Sequence, residues 1–466
     1  VREQGTGSVV LEETRAAEIT LDANTSRVLA LPAAILRNPK LWHFDAPNLY
    51  VLELTLHAAG ETAHLLESTF GVRLIEVKNG AFYLNGERVR LMGVERMAGS
   101  NPEFGMAEPE SWIVHDHDDL KNLNCVFTRA HWPQDRRVLE YCDRHGILFQ
   151  SEVPTWGPNT FKDMGRDPLP AIMQNGIEQL TEMVQRDRNH PCIFSWGLCN
   201  EIGGQNPPAF EFAKNMYQHA KKLDPRRLCS YASNSLQKTP AKDVSALMDF
   251  VEWNEYYETW YRGTLDDLRG NLQEIHDAFP DMPIVISEYG YCACTEDRPE
   301  GDGHRIEILR NHTAIAREID FVAGLIFFDY NDYRTHIGDK GIGAAKQRIH
   351  GVVDLYGARK PSYDVLRMES SPVQELTLHG QPNDFSISIV VRNTVPAHAL
   401  ADYRIRGIFY GAGNIPLERV EVDLLKLAAG QHHTARMAFT EKVPTRIVFD
   451  VLRPTSCSAL TKVWVP

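Results

Sequence analysis

Two carboxylates carry the chemistry legible in this chain. Glu201 closes the stretch Cys192-Ile-Phe-Ser-Trp-Gly-Leu-Cys-Asn200, and Glu288 closes Pro283-Ile-Val-Ile-Ser287. Each follows a short apolar run that reads as a buried strand. A carboxylate at the end of a buried strand is unfavourable unless it is paired or chemically employed. Two of them suit a general acid/base and a nucleophile acting on a glycosidic bond. Their neighbours fit that chemistry. Asn200 directly precedes Glu201 and could hydrogen-bond a sugar 2-hydroxyl. A tyrosine in Trp253-Asn254-Glu255-Tyr256-Tyr257, at the end of the sixth expected strand, could donate to the nucleophile and hold it ionised. Aromatic residues gather near expected strand ends: Trp132, Trp156, Trp196, Trp260, Tyr289 and Phe328. Sugar C–H faces stack on such rings.

These groups need a scaffold that brings strand ends together. From about residue 80 the pattern predicts strands over Arg88–Val94, Cys125–Thr128, Ile147–Ser151, Ile193–Trp196, Leu228–Tyr231, Phe250–Trp253, Ile284–Ile286 and Ala323–Phe328. Helical spacing predicts helices over most of the intervals, including Ser111–Asn124 with a capping serine, Asp135–His145, Leu169–Arg186, Phe210–Lys222, Leu265–Phe279 and Arg305–Ile319. Eight strands alternating with helices predict a (β/α)8 TIM barrel, whose active site lies at the C-terminal strand ends. On that count Glu201 closes the fourth strand and Glu288 the seventh. Two carboxylates on one barrel face can sit about 5 Å apart, the separation a retaining glycosidase needs. A doubly wound sheet is the alternative, but no glycine-rich phosphate loop follows an early strand. Period-two alternation in Ala17–Leu21 and Leu49–Leu56 predicts a β-sandwich over residues 1–75. Alternation in Phe385–Val391 and Arg446–Val451 predicts a second over 371–466, which leaves 76–370 for the barrel.

Composition bounds the partners. The 466 residues carry a formal charge of −13, which argues against nucleic-acid and anionic-membrane partners. No apolar run reaches the roughly 18 residues that a membrane span needs. The eight cysteines lack metal-ligand spacing, and most read as buried thiols. That usage favours a cytoplasmic protein, although a secreted or periplasmic one whose signal peptide had been removed would read the same. His115-Asp-His117-Asp-Asp119 reads as a solvated helical face rather than a metal site. Cys292-Ala-Cys294 reads as loop packing rather than a redox pair, and Asp297–Asp302 as an acidic surface loop.

The stretch Arg188-Asn-His-Pro-Cys-Ile-Phe-Ser-Trp-Gly-Leu-Cys-Asn-Glu201 resembles the acid/base signature of glycoside hydrolase family 2, the family of β-galactosidases, β-glucuronidases and β-mannosidases. Ile284–Gly290 resembles its nucleophile segment. Further matches fall in the family's order: Leu41-Trp42 through Pro47–Tyr50, Phe70–Arg73, Phe82–Glu87, His131–Gln134 and Asn254–Tyr257. The resemblance implies an immunoglobulin-like β-sandwich, a (β/α)8 barrel and a C-terminal sandwich, without an organic cofactor. It implies Glu201 as acid/base, Glu288 as nucleophile, and His131, Asn200, Asn254 and Tyr256 lining the sugar site. Among the strand-end aromatic residues, Trp156 and Phe328 read equally as sugar platforms or as packing residues. Some stretches depart from the family pattern. The family's Gly-Val-Asn-(Arg/Lys)-His reads Gly93-Val94-Glu95-Arg96-Met97 here, and Arg129 sits one residue nearer His131. Phe327-Phe328 replaces a tryptophan. Lys346-Gln-Arg348-Ile-His350 stands near the place of the Asn-x-Lys pair that holds a uronate in β-glucuronidases. The family's leading jelly-roll domain has no counterpart, so a homo-oligomer supplying that wall, or an incomplete fragment, is an alternative.

The reading expected from sequence is a retaining exo-β-glycosidase acting on an oligosaccharide or glycoside, with a β-galactoside as first substrate. A β-glucuronide or β-galacturonide is second, motivated by Arg348 and His350. A non-catalytic carbohydrate-binding protein is the rival from another class.

Overall fold

The computed structural model describes residues 1–12, 20–30, 33–58, 60–293, 301–335, 346–441 and 443–466. Eight parallel strands follow one another around a single sheet: β1 (Leu91–Val94), β2 (Phe127–Ala130), β3 (Leu148–Glu152), β4 (Ile193–Asn200), β5 (Leu228–Ser233), β6 (Val251–Asn254), β7 (Ile284–Tyr289) and β8 (Val322–Phe327). β8 pairs in parallel with β1, and Val126 N–H donates to Met92 O at 3.1 Å across the β1–β2 seam. The sheet therefore closes into the expected (β/α)8 barrel. Gly93 permits the closure, because a Cβ there would lie 1.7 Å from Phe127 O. The strands are buried on both faces, as in β4, where all eight residues are buried. That burial explains their near-continuous apolar runs.

Among the described residues, seven helices surround the strands: α1 (Glu110–Asn122), α2 (Arg136–His145), α3 (Pro170–Asp187), α4 (Pro207–Leu223), α5 (Leu265–Ala278), α6 (Gly301–Glu318) and α7 (Pro361–Glu369). Short 3-10 turns, Pro240–Lys242 and Val244–Leu247, replace a helix between β5 and β6. α2 is capped by the Asp135 carboxylate accepting from Arg137 N–H, and α5 by a Thr264/Asp267 capping box.

The barrel bottom is plugged by an antiparallel sheet of Ile75–Lys78, Ala81–Leu84 and Glu87–Val89. The buried Phe82 ring packs edge-on against Phe194 at 5.0 Å and Phe250 at 5.3 Å, at the entries of β4 and β6. We assign this sheet to the barrel because it shares the barrel's core. Asp143, at the end of α2, clamps the entry of β4: it accepts from Cys192 N–H at 2.9 Å and pairs with His190 Nδ1 at 2.6 Å.

Ahead of the barrel, Arg2–Glu3, Tyr50–Ala58 and Glu61–Phe70 form an antiparallel sheet. Residues 17–19 of the expected early strand lie outside the described residues, and 20–21 are not in a strand. Behind the barrel, Val373–Gln381, Asp384–Val391 and His432–Met437 form one sheet, and Arg404–Tyr410, Pro416–Asp423, Arg446–Leu452 and Ser458–Trp464 another. Their facing residues, among them Phe385, Ile405, Phe409 and Phe449, enclose a second core.

Three local expectations need correction. Ser111 does not cap α1; Pro109 occupies the cap position and no side chain caps the helix. Asp116, His117 and Asp119 are buried rather than solvated. α1 turns that face inward, where Arg96 donates to Asp116 and Glu108 at 2.7 Å each, and Tyr363 and Arg359 bond Asp119. Asp302 is no surface-loop residue: it accepts from Ser362 N–H and Oγ–H at 2.8 and 2.7 Å, joining α6 to α7. Residues 297–300 lie outside the described residues. Cys292 is disulfide-bonded, whereas Cys294 lies outside the described residues. Six other cysteines are free thiols, five of them buried.

If the plug supports the barrel core, Phe82→Ala should destabilise the fold by about 3–5 kcal/mol. The drop in the urea midpoint would measure this.

Candidate active site

The C-terminal ends of β1 to β8 present a connected set of polar side chains. β4 ends at Asn200, and Glu201 then adopts a left-handed φ of 54° while its N–H donates to Ala232 O at 2.8 Å. A non-glycine residue in that region stores on the order of 1–3 kcal/mol, the sort of strain found at functional sites. Glu288 lies within β7 and is buried.

The two carboxyls sit in unlike surroundings. Glu288 Oε1 accepts from Arg129 Nη1 at 2.7 Å, and its Oε2 accepts from the Tyr256 hydroxyl at 2.6 Å. Both contacts favour a carboxylate. Glu201 accepts from Asn254 Nδ2 at 3.0 Å. Burial, with the charge of Glu288 adding to it, pushes the Glu201 carboxyl up to about 7. Burial and the Glu288 charge also keep the Tyr256 hydroxyl protonated. One carboxyl thus has a cationic and a hydroxyl donor while burial raises the other, a contrast that an acid/base and nucleophile pair can use.

Arg129, on β2, is the hub beneath them. It is fully buried and donates to Glu288, to Glu95 and Glu152 at 3.1 Å each, and to Asn200 Oδ1 at 3.1 Å. Burial pushes both the Glu95 and Glu152 carboxyls up to about 7. Gly197 admits Glu152, because a Cβ at 197 would lie 2.8 Å from its side chain. Asn200 Oδ1 also accepts from Asn254 Nδ2 at 2.9 Å, and Ser287 Oγ donates to Asn254 Oδ1 at 2.8 Å. These bonds fix both amide orientations.

The structure thus brings Glu201, Glu288, Asn200, Asn254, Tyr256 and His131 into one network. His131 bonds Glu95 through Nδ1, and its Nε2 lies 3.5 Å from Glu288 Oε1 and from Asn200 Nδ2. Trp156 flanks the set: its indole N–H donates to His131 O at 3.2 Å, and it remains 41% exposed. Phe328 is buried, its ring 5.9 Å from His131 and 5.1 Å from His350. Arg348 donates to the Tyr333 hydroxyl at 3.4 Å and lies 6.0 Å above the Trp260 ring. Its charge reaches Glu201 and opposes the upward push there.

Two expected sugar platforms are elsewhere. Trp196 is fully buried on β4, with its N–H on Asp224 and Arg227 over its ring. Tyr289 is buried and bonded to Thr313. Both strand positions turn their rings away from the mouth. Sequence reading gave no role to Glu95, Glu152 or Ser287, and it noted Arg129 only for its spacing. Glu95 and Glu152 are charged residues in strand-end positions, the same signal that marked Glu201.

Residues 75–297 match the family model described as "Glycosyl hydrolases family 2, TIM barrel domain", and residues 3–73 match "Glycosyl hydrolases family 2". The chain belongs to glycoside hydrolase family 2. Family 2 relatives include a protein named β-glucuronidase from Bacteroides fragilis, 30% identical over 60% of this chain and 40% of that protein. Another is a β-galactosidase from Thermoanaerobacterium thermosulfurigenes, 30% identical over 72% of this chain and 44% of that protein. This chain therefore spans less than half the length of either. A solved family 2 β-galacturonidase from Eisenbergiella tayi bound to galacturonate has a TM-score of 0.65 and 25% identity, covering 73% of this chain and 60% of that one.

The raised Glu201 carboxyl makes a stability prediction with a definite sign. Its ordinary value is 4.5 and its folded value about 7. The folded state therefore binds more protons between those values, and stability falls as pH rises through the window. Glu201→Gln removes that penalty. The variant should gain on wild type by on the order of 1–3 kcal/mol between pH 4.5 and pH 8, as measured by urea denaturation at both.

Proposed function

We propose that this chain is a retaining exo-β-glycosidase working by double displacement. The observation that supports it best is the asymmetry of the two carboxyls: Glu288 bonded by the Arg129 guanidinium and the Tyr256 hydroxyl, and the Glu201 carboxyl pushed up to about 7 by burial. In the first step a Glu288 oxygen bonds to the anomeric carbon while the bond to the leaving oxygen breaks, and Glu201 transfers its proton to that oxygen. In the second, Glu201 takes a proton from water, whose oxygen attacks the anomeric carbon and expels Glu288. His131, Asn200 and Asn254 face the sugar, and Trp156 and Phe328 offer it ring surface.

A terminal β-galactoside is the first substrate reading. Arg348 favours a second, a β-glucuronide or β-galacturonide. Its guanidinium lies between Tyr333 and Trp260 at the mouth, with its charge felt at Glu201, and a guanidinium pairs well with a carboxylate. His350 packs on the same Phe328–Tyr333 aromatic group.

Turnover of aryl β-galactoside, glucuronide, galacturonide, glucoside and mannoside tests this. Release from one sugar with the β-anomer as first product, lost in Glu288→Ala, is expected. A uronide substrate would lose about 100-fold or more in kcat/KM in Arg348→Gln, and a galactoside would not. Glycan binding without release from folded protein would instead favour a carbohydrate-binding protein.

A further inference from the structure

Glu95 directly follows β1 and has no exposure to solvent. Its Oε2 accepts from Arg129 Nη1 at 3.1 Å, and the same nitrogen donates to Glu288 Oε1 at 2.7 Å. Its Oε1 bonds His131 Nδ1, and the far nitrogen of that imidazole lies 3.5 Å from the same Glu288 oxygen. Two independent routes, one guanidinium and one imidazole, thus connect Glu95 to Glu288.

We propose that Glu95 is a positioning residue that sets the nucleophilicity of Glu288 through the shared nitrogen of Arg129 and the imidazole of His131. This rests on the reading of Glu288 as nucleophile. Ionised, Glu95 takes one Nη1 hydrogen of Arg129 and adds negative charge beside Glu288, making Glu288 the stronger base. It also receives the Nδ1–H of His131. The bonds from Arg129 and Asn254 point Asn200 Oδ1 away from His131 and turn Asn200 Nδ2 toward it. In that state His131 Nε2 is a lone-pair acceptor and leaves Glu288 its full charge. When Glu95 gains a proton, it donates to Nδ1 and the imidazole carries its hydrogen on Nε2, facing Glu288 and weakening it. During the reaction Glu288 gives up its charge on forming the glycosyl ester. Arg129, buried and charged, then loses one of its three carboxyl partners, and Glu95, already bonded to the same nitrogen, keeps that nitrogen paired.

The other groups facing Glu95 act with it. Arg129 lowers its proton affinity, whereas burial raises it. Its charge is felt by Glu152 on β3, Glu252 on β6 and Asp329 after β8, which are buried carboxyls pushed upward by desolvation. None of the three bonds to His131 or shares the Arg129 nitrogen that holds Glu288.

The test compares pH profiles of kcat/KM for wild type, Glu95→Gln and Glu95→Asp, with histidine 15N NMR on the same proteins. Glu95→Gln should lower the plateau about 10- to 100-fold, the size of one hydrogen bond to a charged group, and move the acid limb to lower pH. Glu95→Asp should recover at least part of the rate and restore the limb. The NMR signals should show His131 exchanging its hydrogen between Nδ1 and Nε2 through the wild-type limb, and no such exchange in Glu95→Gln. A Glu95→Gln profile parallel to wild type, or an aspartate variant as slow as the glutamine one, would overturn the proposal. Wild type inactive on every sugar would sink the glycosidase reading instead, and the His131 titration would still decide whether Glu95 governs the imidazole.

Discussion

Arg129 brings a single positive charge into the dry interior of the barrel and meets three carboxyls there, from β1, β3 and β7. A buried guanidinium without acceptors would be very unfavourable, and so would three buried carboxylates without it. Neither side of this arrangement is stable alone. The contact network therefore fixes the strand ends relative to one another, and through Asn200 it fixes the amides that face the mouth. Charge balance has a chemical consequence. One guanidinium cannot neutralise every carboxyl around it, so some of them hold protons near neutrality.

How those protons are distributed depends on hydrogen-bond donors as much as on depth. Glu288 has a charged donor on one oxygen and a hydroxyl on the other. Glu201, the residue after its strand ends, has one neutral amide and a like charge nearby. Both lie at the C-terminal ends of strands of the same sheet, yet they meet different donors, and burial raises the Glu201 carboxyl. The left-handed turn at Glu201 contributes, because it carries the side chain out of the strand's alternation and over the mouth.

The scaffold makes this geometry reproducible. Gly93 lets β1 approach β2 closely enough to close the barrel, and the aromatic plug at its bottom fills the end opposite the site. Closure places Glu95 beside Arg129 and His131. An open sheet would leave β1 at an edge, too far round to meet β2.

The sequence by itself determined the barrel, the flanking β regions and the two glutamates. These follow from patterns within a dozen residues: apolar runs for two-sided burial, helical spacing between them, and a carboxylate where each run stops. The same local reading marked Asn200, because it adjoins a strand end, whereas Asn254 and Tyr256 were marked through the resemblance to the family. Tertiary structure alone decided the rest. Arg129 meets partners 23 to 159 residues away in the chain, a separation over which no periodicity carries information. Likewise, which way a ring or a helix face turns depends on what packs against it. Trp196 turned to the outer layer and Asp116 turned inward, since their partners, Asp224 and Arg96, came within reach only once the chain had folded.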